Sequence, residues 1–573
     1  MKQNALSLAF YLFLIVGLPR LISLDAHWSN DETLWLHRSA QFMNAVRVGQ
    51  FEQGLITHHP GVTTLWLGGL RQFFGNTEMW ISLKSLTITR WFIGAIVSTG
   101  LTAVFFFLCR LFRTWQAIAA WSFLAVNPFL LSQTRRVHTD ALATIFILLT
   151  VLLFLLFCVT SSRLEHHLQK RSYLVFAGVA FGFACLSKSY SLILLPWLPF
   201  CLWLFRPTDM LWGEFLRGAY IKGVFCLSCS LLTIFFICPI FWNPLGICLT
   251  ACLLGITFLL QRAVQTGKRV NLCIGFAIPI FIGCMGYAVK TLWIVFIKVK
   301  WALTTPHEIN HFFLGEIRAD PGWLFYIFTL CIKSTPLLLP LAIGAVLFLW
   351  KHRRDENTRE HFKIAIALGA VAVLFTIFLS LTSKKFARYL LPAFPMLDIL
   401  AGIGLFYTMK WIGARSKKQH FRHATYVGCV ALVLFFTVVP VFALHPYYGT
   451  YYNPYWKVTD ITKIITVNDT SGLEIAAKYL NKKTNAAQMS VHVSYLRSEF
   501  FRYYFSGTVY QSENNRIKST DKLRPTDYEV VYIRDLQIRQ VPQGGTRKGE
   551  LEHTITLNGL DHAWIYRIPH QGE

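Results

Sequence analysis

Charge is scarce in this chain: only 15% of its 573 residues are charged, against 54% hydrophobic. A soluble fold of that length could not cover its surface with so little charge, so a single large soluble core is excluded. Acids are the scarcer sign, with 29 Asp plus Glu against 55 Lys plus Arg. Cysteine is missing after Leu444; all thirteen lie between Cys109 and Cys429, mostly inside apolar runs. Cys226 and Cys229 have no histidine nearby, so the spacing reads as small apolar helix residues rather than zinc ligands or a disulfide framework. There is no internal repeat and no low-complexity segment. The formal net charge of +26 would point to nucleic acid in a soluble protein. Here the basic residues recur in short loops between apolar runs, where the positive-inside rule places them. No nucleic-acid partner is expected.

What the chain has instead is long uncharged runs. Ala141 to Thr160, Gly223 to Trp242 and Thr425 to Leu444 carry no charge, and each is long enough to cross a bilayer as a helix. Spans are expected near residues 4–24, 89–109, 115–132, 141–160, 173–187, 190–205, 223–242, 245–261, 270–290, 323–349, 364–381, 389–408 and 425–444, about thirteen transmembrane helices. The first run follows Lys2 but no A-x-A cleavage pattern, so it reads as a retained span. With the N-terminus cytoplasmic, every predicted inside loop is basic, as in Arg163, Lys170 and Arg171 or Lys351, Arg353 and Arg354. The fold class is therefore an α-helical polytopic membrane protein of the inner or plasma membrane. Residues 1–444 form its transmembrane domain, with a long first outside loop at 25–88. Residues 445–573 read as a small exported α/β domain, with a helix near Gly472 to Leu480 and strands near Met489, Tyr528, His553 and Ala563.

In so acid-poor a chain, Asp31 and Glu32 stand side by side just after the first span. A helix N-terminus accounts for them without chemistry: Asn30 or Asp31 caps, and Glu32 complements the dipole. His58 and His59 follow in a turn, where adjacent side chains point to opposite sides, which argues against one metal between them. Arg135, Arg136, His138 and Asp140 occupy the next outside loop. Lys384, Lys385 and Arg388 occupy a later one, and Lys188 ends a short span. Ionisable groups kept at the membrane boundary usually have partners or a function. Outward cations beside outward acids suit an anionic head group on a lipid tail, with a carboxylate near it. Lys384 and Lys385 would also serve simply by snorkelling to lipid head groups.

These pieces, in this order, resemble the protein O-mannosyltransferase family (glycosyltransferase family 39) and the related lipid A aminoarabinose transferases, both in the C-type membrane glycosyltransferase superfamily. The resemblance rests on Asp31-Glu32, on Arg135-x-x-His138-Thr139-Asp140-Ala141-Leu142, and on Leu186-Ser187-Lys188-Ser189. It continues through His311 to Glu316 with Asp320-Pro321-Gly322-Trp323, Lys333-Ser334-Thr335-Pro336, Lys384 to Pro392, and Pro446 to Pro454. It implies a C-type glycosyltransferase fold, a polyprenyl-phosphate sugar as donor, inversion at the anomeric carbon, and Asp31 as general base. Glu32 and Asp140 would join Asp31 in the catalytic group. Arg135, Arg136, Lys384, Lys385 and Arg388 would face the donor phosphate, and His58, His59, His138 and Glu316 the sugar or acceptor. A phosphate leaves as a stable anion, so one base suffices and no metal cofactor is required; a divalent cation bound among the acids would be adventitious. The expected reaction is transfer of a mannose-like hexose to a protein hydroxyl. Transfer to lipid A or another glycolipid is the alternative, since residues 245–300 are longer and more apolar than in typical protein mannosyltransferases. A lipid-linked sugar flippase is the rival of another class; it would predict inverted repeats, which the sequence lacks.

Overall fold

The computed structural model describes residues 2–29, 31–54, 60–70, 82–162, 167–266, 311–415, 419–456, 460–467, 470–493, 495–511, 526–538, 545 and 549–569. The chain is an integral, multi-pass membrane protein. Six described helices are long and apolar enough to span a bilayer, and a bent pair makes a seventh. The expected span at 270–290 and the histidines His58 and His59 lie outside the described residues.

The site-bearing half is built from α1 (Lys2–Leu21), α2 (Glu32–Arg47), α3 (Val62–Leu70), α4 (Leu83–Leu111), α5 (Thr114–Val126), α6 (Pro128–Thr134), α7 (Thr139–Ser162) and α8 (His167–Ser187). α7 is apolar on every face, and 89% of its membrane window is buried. A helix without a polar stripe belongs at the centre of a bundle, and α7 sits against α4 and α8. Within a bilayer, helices gain little from hiding apolar surface from one another, so close backbone approach takes over. Gly178 and Gly182 of α8 provide it. A methyl group at Gly178 would lie 2.5 Å from the Cys226 carbonyl oxygen, and one at Gly182 would lie 2.7 Å from that of Ser230. Both carbonyls belong to the helix Trp212–Ile237.

Three expected spans prove broken. The stretch 115–132 divides at Asn127, whose side chain accepts from the Phe129 and Leu130 amides to start α6, with Pro128 in its first turn. The stretch 323–349 is two helices, Phe325–Lys333 and Leu338–Lys351, bent by 102°. Pro336 explains the bend, because proline disfavours helix in the residue before it. The run 190–205 is likewise a 3-10 turn, Ser189–Leu194, followed by a short helix, Trp197–Leu204.

After Leu444 the chain is fastened to the bent pair. Lys333 Nζ donates to the Gly449 and Tyr451 carbonyls at 3.2 and 2.9 Å. The Asn453 amide donates to Ile332 O at 2.8 Å. Beyond it lies a five-stranded sheet of order β4-β3-β5-β7-β6, from β3 (Ser490–Val493), β4 (Thr508–Gln511), β5 (Tyr528–Tyr532), β6 (Glu550–Leu557) and β7 (Leu560–Arg567). β3, β4 and β5 run parallel, while β7 is antiparallel to β5 and β6. The sheet has its own apolar core, including Leu473, Ala477, Val491, Val530 and Ile565. A hairpin from the membrane half, β1 (His311–Phe313) and β2 (Glu316–Arg318), reaches this part through Leu314 N to Ile464 O at 2.9 Å.

Candidate active site

Asp31 is the N-cap residue of α2, yet its side chain caps nothing. The carboxylate turns outward to Arg388 Nη2 at 2.9 Å and lies 3.4 Å from His138 Nε2. Local geometry alone would have used it on the helix end, so this diversion is the first sign of a function. Asp31 is 37% exposed on its side chain, whereas its neighbour Glu32 is fully buried.

Glu32 has a different task. Its Oε1 accepts from Arg90 Nε at 2.8 Å and from the Val137 amide at 2.7 Å; its Oε2 accepts from the Ser29 amide at 2.8 Å and from Arg90 Nη2. Four donors occupy the carboxylate, so the group expected among the catalytic residues holds two loops and an arginine together. Burial would raise its proton affinity, but Arg90 and the two amides override that, and it stays ionised below the ordinary carboxylate range.

Asp140, at the buried start of α7, gathers the rest. Lys188 Nζ lies 2.5 Å and Tyr190 Oη 3.1 Å from Oδ1. His138 Nδ1 lies 2.6 Å and Arg388 Nε 3.4 Å from Oδ2. His138 and Arg388 therefore each bridge the two aspartates, one ring or guanidinium nitrogen to each. The Lys188 ammonium also sits 3.9 Å from the Tyr389 ring centroid, a cation–π contact that favours the charged lysine away from water. Burial alone would raise the Asp31 carboxyl; the Arg388 guanidinium and then the His138 ring outweigh it and hold the group well below the ordinary range.

Trp35, one turn along α2 from Asp31, backs His138 with ring centroids 6.0 Å apart. Behind Trp35 lies Gly61, whose φ of +59° disfavours any side chain and whose Cβ would come 2.4 Å from the indole. Gly61→Ala is accordingly expected to displace Trp35 and cost about 1 to 3 kcal/mol of stability, read as a lowered melting temperature, with reduced activity in the protein that remains folded.

Arg388 also walls a cleft of about 720 Å³ open to solvent. Arg136, Lys333 and His311 line it with the aromatic rings of Phe129, Phe325, Phe386 and Tyr452. No acid is among the lining residues. A separate apolar groove of about 740 Å³ is lined by Thr63, Trp66, Ile96, Leu142, Phe146 and Trp242, among others.

The expected phosphate-facing cations thus part company. Arg136 and Arg388 reach the cleft. Arg135 does not line it; its guanidinium bonds the Pro19 and Ser23 carbonyls at the end of α1, at 2.5 and 2.8 Å. Lys385 is buried against Asp320 Oδ1 at 2.7 Å and the Thr382 carbonyl, while Lys384 is half-buried on the same loop. Glu316 is not brought to the site: its side chain is 57% exposed and pairs with Arg318 on the hairpin. Sequence reasoning passed over Arg90 and named Lys333 only as part of a motif, with no role in the site. Each is a cation inside an apolar run, which is itself the signal that could have found them. Among the described residues no group of three or more His, Cys, Asp or Glu is arranged to hold a metal ion; beside Asp140, a cation's place is taken by Lys188.

The family model for dolichyl-phosphate-mannose-protein mannosyltransferases matches residues 79–231, a stretch that contains Arg135 to Leu142 and Leu186 to Ser189. No curated protein matches the chain. Among solved structures, the chain is similar to the oligosaccharyltransferase AglB of Archaeoglobus fulgidus in complex with an inhibitory peptide and a dolichol-phosphate, at 13% identity and a TM-score of 0.49, covering 93% of this chain and 70% of that one. It is similar to ArnT of Cupriavidus metallidurans bound to undecaprenyl phosphate at 14% identity and a TM-score of 0.45, covering 99% and 98%. The S. cerevisiae protein O-mannosyltransferase Pmt1-Pmt2 complex bound to the sugar donor matches at 17% identity and a TM-score of 0.33, covering 41% and 33%. The family-model match agrees with the resemblance carried by the motifs: the chain is similar to membrane glycosyltransferases that use lipid-linked donors.

Proposed function

We propose that this chain moves a mannose-like hexose from a polyprenyl-phosphate carrier to a hydroxyl on a protein acceptor, inverting the anomeric carbon. The observation that carries the reading is the Asp31–Arg388 pair, 2.9 Å apart, in which Arg388 also lines a cleft whose other fully charged side chains, Arg136 and Lys333, are both cationic. Phosphate departs as a stable anion, so the reaction needs a base at the acceptor and no acid at the donor. Asp31 takes the acceptor's proton as the hydroxyl oxygen attacks. The guanidinium groups of Arg136 and Arg388 receive the phosphate bidentately, and Lys333 adds a point charge.

At rest Arg388 faces Asp31 through Nη2 and Asp140 through Nε, and on binding the donor phosphate competes with Asp31 for it. As the phosphate draws the guanidinium over, Asp31 loses its strongest counter-charge and becomes a better base when substrate is present. Asp140, anchored by Lys188 and Tyr190, keeps His138 and the rest of Arg388 in position meanwhile. The apolar groove suits the prenyl chain; Leu142 on its wall is two residues from Asp140. The family-model match over residues 79–231 supports the same donor class. In this reading the N-terminus is cytoplasmic, and residues 445–573 stand on the outer face beside the acceptor.

A carboxyl held below its ordinary range stays ionised above its unfolded value of about 3.9 and loses the proton-accepting form only as pH falls further. With Asp31 as base, kcat/KM is therefore expected to stay flat from about pH 5 to pH 8. An acid limb with a midpoint near pH 6 would assign the base to another group. The deciding assay supplies purified protein with radiolabelled undecaprenyl- or dolichyl-phosphate mannose and either a Ser/Thr-rich peptide or lipid A. Label in the peptide supports the proposal; label only in the lipid moves the acceptor to a glycolipid. Donor that crosses a vesicle bilayer unconsumed would make the protein a flippase.

A further inference from the structure

The segment Leu24–Trp28, which leads toward the base, is gripped from two sides. From the membrane half, Arg90 donates to the Leu24 carbonyl and, at 2.7 Å, to that of His27, while the same guanidinium holds Glu32. From the sheet-bearing tail, Tyr504 Oη donates to Asp25 O at 3.2 Å and Thr470 Oγ1 donates to Trp28 O. The Trp28 indole stacks on Tyr503 with centroids 4.1 Å apart and planes 12° off parallel. His27 meets the Tyr447 ring at 5.8 Å. Trp28 is 1% exposed, so this large side chain is wholly enclosed between the two parts of the chain. It stands three residues ahead of Asp31, and the next residue, Ser29, is already bonded to Glu32 through both its amide and its carbonyl.

Nothing in the α2 helix itself fixes the Asp31 side chain, since the carboxylate makes no cap. Arg388 and His138 hold the carboxylate from across the site, and whether it meets them depends on where the preceding loop delivers the Asp31 backbone. A loop left to itself keeps its backbone freedom, and a base displaced by about 1 Å can lose about a hundredfold in rate. We propose that the tail is a positioning element of the active site: Tyr503, Tyr504 and Thr470 clamp the Asp25–Trp28 segment and thereby aim Asp31. This inference rests on the reading of Asp31 as the base, and it deepens that reading by giving the tail a part in the chemistry. The tail residues act through the segment and touch no substrate in this role.

The test uses the full-length protein and the labelled-donor assay. Tyr503→Ala removes the stacking face, and Tyr503→Phe keeps it. Tyr503→Ala is expected to lower kcat about tenfold or more, with the donor KM within twofold of wild type, because Arg136, Lys333 and Arg388 are untouched. Tyr503→Phe is expected to restore wild-type kcat. Thr470→Val, which removes one bond to Trp28, is expected to fall between the two. Melting curves in detergent accompany each variant, so that loss of fold is read separately. Wild-type kcat in Tyr503→Ala, or an equal loss in Tyr503→Phe, would overturn the inference and leave the proposed function standing. An inactive wild-type protein would instead overturn the proposed function, and the inference with it.

Discussion

Asp31→Asn is expected to lower turnover roughly 10²- to 10⁴-fold, the usual contribution of a positioned general base, while leaving the protein folded. Asparagine is nearly isosteric and is itself a good N-cap residue, so α2 should start where it does now. The amide cannot accept a proton from the acceptor, nor does it oppose Arg388. With its resting partner neutralised, the guanidinium should bind donor phosphate as well as before or better. The expected signature is therefore a collapse of kcat with donor KM unchanged or lowered, measured as initial rates of label transfer. A rate within tenfold of wild type would remove Asp31 from the base role.

The second large effect concerns stability. The Arg90 and Glu32 side chains are 2% and 0% exposed, and each satisfies the other along with backbone groups of Leu24, His27, Ser29 and Val137. Removing one member of a buried pair leaves an uncompensated charge and typically costs about 3 to 5 kcal/mol. Glu32→Leu and Arg90→Leu should each lower the melting temperature sharply and abolish activity. Replacing both together should recover part of the stability, because no lone charge remains, though the orphaned amides and carbonyls limit the recovery. Equal melting of all three variants and wild type would show that the pair bears little of the fold.

Much of the membrane architecture was legible because an uncharged run of twenty residues reports the bilayer directly, as the stretch Ala141 to Thr160 does. The breaks were harder to read. Pro128 and Pro336 were visible, but each lay inside a run apolar enough to pass as continuous, and only packing reveals that the chain turns there. In the site, Asp31, His138, Asp140 and Arg388 each stood out as an ionisable group at a membrane boundary. Their convergence did not, since Arg388 is separated from Asp31 by 357 positions. Adjacent residues were harder still. Asp31 turns to Arg388 while Glu32 turns inward to Arg90. Arg136 lines the cleft while Arg135 ties down the end of α1. Which of two neighbours faces the ligand is a matter of tertiary direction, on which residue type is silent. Arg90 escaped notice, and Lys333 was named without a role, because they sat within expected spans, where a cation is counted against hydropathy instead of being asked for its partner.

For the transferase proposed above, the fastening of the chain just past Leu444 sets how acceptors can reach the site. Two modules joined by a slack linker let one of them search a volume, and the linker's length sets the effective concentration of whatever it holds. Here Lys333 and Asn453 bind the connection to the bent helix pair within a few residues of its start. Among the described residues the tail also meets the Asp25–Trp28 segment through Tyr504, Thr470 and Tyr503, which keeps the sheet beside the site. For the proposed transferase, selectivity then comes from what can approach a stationary wall, which favours acceptor hydroxyls on extended or protruding segments over those on flat, folded surfaces.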